Sequence, residues 1–122
     1  MVALASMKYD AGNAGSADVV ERESSKPSFL ALMYPGNSRG VVPDKNSPPA
    51  FLACDADYRA DISEGLPAVY LAFHKAGVPA ELHIYGSGGL GFGLAVYKPK
   101  MLAAGWPTAF EGWLGDRGFL KK

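Results

Sequence analysis

Pro48-Pro49-Ala50-Phe51-Leu52-Ala53-Cys54-Asp55-Ala56-Asp57, followed after an intervening segment by Lys75-Ala76-Gly77-Val78-Pro79-Ala80-Glu81-Leu82-His83-Ile84-Tyr85, decides the fold. Ala50 to Cys54 reads as a strand entered from the turn-rich Asn46-Ser47-Pro48-Pro49, and Val78 to Tyr85 reads as another. Between them Leu66, Val69, Tyr70 and Phe73 recur at helical spacing, with Ser63 as the expected N-cap and Gly77 just beyond the end. Pro67 falls in the first turn of that helix, where a missing amide donor costs least.

Upstream, Phe29-Leu30-Ala31-Leu32-Met33-Tyr34 is a continuous apolar run stopped by Pro35-Gly36, the pattern of a strand buried on both faces. Asp10 to Ser28 is polar, contains glycine and serine, and reads as a long excursion. Residues 1–9, with Val2, Leu4, Ala5 and Met7, suit a short helix that opens without a capping residue. Downstream, Pro107 with Phe110, Trp113 and Leu114 predicts a closing helix, and Gly118 supplies its stop signal. Strand, helix, strand, helix is the pattern of a parallel sheet, so the expectation is one α/β domain over residues 1–122 with about three mostly parallel strands.

Bulk properties narrow the function. The 122 residues are 48% hydrophobic and 20% charged, enough apolar material for a single core. Twelve basic side chains balance twelve acidic ones, which leaves no footprint for a nucleic-acid backbone or an anionic membrane. No apolar run approaches the ~20 residues needed to span a bilayer, and the first residues lack the charged and apolar layout of a signal peptide, so the chain as given reads as soluble. Cys54 stands alone and reads as a packed thiol. Two histidines and one cysteine, all scattered, offer no metal spacing, and Gly88 to Gly93 follows a strand but opens no helix, so no cofactor is expected.

The two quoted stretches, together with Gly86-Ser87-Gly88-Gly89-Leu90-Gly91-Phe92-Gly93, resemble the C-terminal half of α/β-hydrolase esterases related to acetyl-xylan and feruloyl esterases and dienelactone hydrolases. The resemblance runs from the first residues to the last helix. It implies a partial α/β-hydrolase fold, carboxylic-ester hydrolase ancestry, and small acylated sugars or aromatic esters as the family's substrates. Such an esterase needs a nucleophile on a sharp strand-to-helix turn, an acid after a later strand and a histidine on the loop after the next one. By resemblance Asp57 occupies the acid position as a vestige, with Asp55 its neighbouring candidate. Leu90 stands where the family has its histidine, and leucine can neither take nor give a proton.

Other candidates read as weaker. Gly36-Asn37-Ser38-Arg39-Gly40 satisfies G-x-S-x-G, but Val41-Val42-Pro43 follows it where a nucleophile elbow must enter a helix, and by the resemblance it lies one strand too late. His83, within a strand, reads as a packed and hydrogen-bonded residue, and His74 as the complement of a helix C-terminus. Ser87 is a lone hydroxyl in a small-residue turn.

Met1-Val2-Ala3-Leu4-Ala5-Ser6-Met7 resembles the continuation of the family's nucleophile helix, so the chain reads as truncated before or at that helix. The leading expectation is therefore an esterase-like protein or fragment with an incomplete triad, whose own hydrolysis is absent or very weak. The alternatives are an active esterase using Ser38, Asp57 and His83, and a non-catalytic binding or assembly module, either of which could hold a small ester ligand. The strand at Phe29 to Tyr34 lacks the lysines and proline that discourage edge pairing, so a homodimer through it is also expected.

Overall fold

The computed structural model describes residues 2–87, 92–94 and 101–120. Three parallel strands, β1 (Leu30–Met33), β2 (Ala50–Asp55) and β3 (Ala80–Tyr85), form one open sheet in the order β1-β2-β3. Leu30 lies beside Ala50 and Ala50 beside Ala80, and the ladder ends with Asp55 beside Tyr85. This is the expected partial α/β fold.

Every residue of β2 is buried, which explains its unbroken apolar run: the strand has a neighbour on each edge and a helix layer on each face. β1 departs from the expectation of burial on both faces. Leu30 and Leu32 are buried, but Ala31 is exposed, because β1 is an edge strand among the described residues.

Among the described residues four α-helices accompany the sheet: α1 (Val2–Ala5), α2 (Ala60–Ser63), α3 (Gly65–Lys75) and α4 (Trp106–Asp116). α3 packs Leu66, Val69 and Phe73 on the face formed by Leu30, Leu32, Leu52 and Cys54. α4 covers the opposite face, where Phe51 lies 5.1 Å from Phe110 and 5.9 Å from Trp113 between ring centroids. Rings at such separations add packing energy beyond the area they bury.

Several boundaries shift from those expected. Ser63 does not cap α3; Glu64 holds that position without a side-chain bond, and the Ser63 hydroxyl donates back to the Arg59 carbonyl at 3.4 Å. A short helix, α2, abuts α3 directly, so the hydroxyl finds a carbonyl one turn back before it can reach forward. Pro67 does lie in the first turn, and Gly77 ends the helix with φ +72°, a conformation that favours glycine. Gly118 follows α4 at φ +76° in the same way. Among the described residues 2–9, the helix covers Val2–Ala5. The excursion from Asp10 to Ser28 is folded back on itself, with the Asn13 amide donating to the Glu21 carbonyl at 2.7 Å and the Ser25 amide to the Asp10 carbonyl at 3.2 Å.

Candidate functional site

Parallel strands deliver the chain leaving each of them to one end of the sheet, and Ser38, Asp55 and Asp57 follow or end β1 and β2 there. After β1, Tyr34 takes φ +38° while its amide still donates to the Ala53 carbonyl at 2.7 Å, so the chain turns sharply at the end of the ladder. Asn37, at φ 58°, then starts a single 3-10 turn over Ser38–Gly40, and Val41 is already extended. The Gly-x-Ser-x-Gly pentapeptide therefore leads into extended chain, as the Val41-Val42-Pro43 that follows it predicts.

Ser38 is almost completely buried, and its hydroxyl has no hydrogen-bond partner. It presses against Gly65 so closely that a Cβ at that position would stand 2.4 Å from Ser38 Oγ. Beside it opens a cavity of about 510 Å³ lined by Ser38, Arg39, Val41, Asp61, Glu64 and Val69, on the α3 side of the sheet.

The second strand end carries two carboxylates in different states. Asp57, the expected acid position, is exposed. Asp55 is buried; its Oδ1 accepts the Asp57 amide at 3.0 Å, while Oδ2 has no partner among the described residues. A buried carboxylate oxygen without a donor is costly, so Asp55 is the polar group at this end most in need of a partner. By resemblance Asp57 takes the acid position; the burial of Asp55, last residue of a wholly buried strand, is a separate observation. Replacing the exposed Asp57 with asparagine is expected to change stability by no more than about 0.5 kcal/mol in denaturant unfolding.

His83 projects from β3 on the α4 face. Its Nε2 lies 2.7 Å from Glu81 Oε1, and its ring is 5.1 Å from Phe51 and 6.2 Å from Tyr85. The sheet therefore stands between His83 and Ser38, and among the described residues no hydrogen bond joins the side chains of Ser38, Asp57 and His83. Physically, alternation along β3 commits the imidazole to the face opposite α3. His74 stacks on Tyr70 at 6.4 Å in the last turn of α3. Ser87 is exposed, and Leu90 lies outside the described residues.

Cys54 is buried, and its thiol is pushed up from the ordinary range by loss of solvent and by the neighbouring Asp55 carboxylate, as suits a packed and unreactive thiol. Among the described residues no cluster of histidine, cysteine, aspartate and glutamate is placed to hold a metal ion. No described helix is long and apolar enough to cross a membrane.

Two solved enzymes share this architecture. The acetyl ester-xyloside bifunctional hydrolase of Caldicellulosiruptor lactoaceticus is 26% identical over 98% of this chain and 53% of its own, with a TM-score of 0.84. The carboxylesterase Cest-2923 of Lactobacillus plantarum WCFS1 is 20% identical over 83% of this chain and 48% of its own, with a TM-score of 0.66, a likeness of fold alone. No protein-family model and no curated protein matches the sequence. The molecule thus has a partial esterase-like fold, and it spans about half the length of the two enzymes it is similar to.

Proposed function

We propose that this chain is an esterase-type domain that does not hydrolyse esters by itself. The observation that carries this reading is the state of Ser38. The serine that fits the nucleophile pattern is buried against Gly65 with an unpartnered hydroxyl, while the imidazole of His83 is engaged by Glu81 across the sheet. An unassisted serine hydroxyl is a weak nucleophile, since attack needs a base to take its proton. Leu90, at the family's histidine position by resemblance, provides none. The likeness to an enzyme whose name includes acetyl esters supports small acylated sugars or aromatic esters as the ancestral ligand class.

The test is turnover of a short-chain nitrophenyl ester by the purified chain. Hydrolysis no faster than with heat-denatured protein is expected, both for the natural sequence and for Ser38→Ala and His83→Ala. Leu90→His alone is expected to start no turnover, since no serine is placed to use the new base. Turnover well above that control and abolished by Ser38→Ala would overturn the reading in favour of Ser38, Asp57 and His83 acting together.

A further inference from the structure

We infer that the cavity beside Ser38 binds a small zwitterion with an apolar side chain, the chemistry that an aliphatic α-amino acid presents. The space exists because α3 turns small residues toward the loop after β1: Gly65, Ala68 and Ala72 share one helix face and leave about 510 Å³ unfilled. That volume lies within the ~300–1,000 Å³ of pockets that hold small molecules. All the lining groups fall between Ser38 and Ala72, so one stretch of chain builds the whole site.

Its walls differ in chemistry. Val41 and Val69 are buried at the base, and Ala68 and Ala72 continue an apolar side toward solvent. Arg39 stands on the loop wall, in the 3-10 turn that the left-handed backbone of Asn37 starts. Asp61 and Glu64 stand on the wall made where α2 meets α3. Asp61 is already neutralised, since its two oxygens accept from Nε and Nη2 of Arg59, each at 2.9 Å. Arg39 and Glu64, by contrast, form no ion pair with each other or with any other group among the described residues.

One cation and one anion therefore line the same cavity from different walls without meeting. A ligand with a carboxylate and an ammonium on neighbouring atoms satisfies both: the carboxylate takes the guanidinium fork of Arg39, and the ammonium donates to Glu64. Its aliphatic side chain then covers Val41, Val69 and the two alanines. A ligand of a single charge pairs with one wall and meets like charge on the other. An exposed ion pair contributes little alone, so recognition requires both charges together with the apolar contact. Ser38 closes the cavity with a hydroxyl that Gly65 covers, so the ligand is held beside that serine and does not react with it.

Isothermal titration of the purified chain with L-leucine tests this. Saturable binding with a dissociation constant of roughly a millimolar or below is expected. Isoamylamine, which lacks the carboxylate, and isocaproate, which lacks the amine, should each bind about tenfold more weakly or worse. Arg39→Gln and Glu64→Gln change exposed side chains, so both variants should fold, and each should weaken leucine binding about tenfold or more. Glu81→Gln, on β3 and outside the cavity, should leave it unchanged. Absence of saturation by leucine in the millimolar range, an affinity unchanged in Arg39→Gln or Glu64→Gln, or equal binding of the amine or the acid alone would overturn the proposal.

Discussion

Truncating Phe73 to alanine is expected to cost roughly 3–5 kcal/mol of stability, the loss typical of a large buried side chain whose cavity cannot collapse. The ring is wholly buried in the layer between α3 and the sheet, within the same cluster as Leu52, Leu66, Val69 and Val78. The Phe73 carbonyl also accepts the Val78 amide at 3.0 Å as the chain leaves the helix for β3. A void at that position therefore loosens the helix exit as well as the core. Domains are stable by only about 5–15 kcal/mol, so this one truncation removes a large share of the total. Leu71, on the outer side of the same helix and half-exposed, is the control: its alanine variant should stay within about 0.5 kcal/mol of the natural chain. Urea unfolding of both variants gives the comparison.

Gly65→Ala is expected to destabilise by about 1–3 kcal/mol, as overpacking of a tight contact does. The added Cβ would stand 2.4 Å from Ser38 Oγ but 3.8 Å from Ser38 Cβ, so the clash comes from the hydroxyl alone. Ser38→Ala removes it. That substitution should be neutral or stabilising by up to about 1 kcal/mol by itself, because the hydroxyl it deletes is buried and unpartnered. In the Ser38→Ala background Gly65→Ala should then cost little, and the double-mutant cycle should return a coupling close to the whole cost of the single change. Additive effects would show that Ser38 and Gly65 are not in contact.

The frame of the fold was legible because its signals are local. Proline and glycine punctuate the apolar runs around β1, β2 and β3, and Leu66, Val69 and Phe73 keep helical period through α3. The rest depends on neighbours in space. Ala31 sits in an apolar run yet is exposed, since only the strand order makes β1 an edge. Ser63 has the side chain of a cap, but α2 ends at the same place and supplies the Arg59 carbonyl instead. Asp55 and Asp57 are two residues apart in a turn, and the inward direction of Asp55 is set by the ladder to Tyr85, which no short stretch of sequence encodes. The extended chain after Ser38 argues against a nucleophile elbow, and its burial against Gly65 is a separate reason. The mismatch between His83 and Ser38 comes from strand alternation, which the sequence predicts for His83, together with the side of the sheet taken by the turn after β1, which it does not.

The most direct measurement of the central claim is intact-mass analysis of the folded chain after exposure to a fluorophosphonate, which reacts with serines activated by a neighbouring base. The expected result is an unchanged mass, because the Ser38 hydroxyl is buried and no base bonds to it. A stoichiometric adduct that is lost on prior unfolding, mapped by peptide sequencing to Ser38 or to any other serine, would contradict the account by showing an assembled nucleophile.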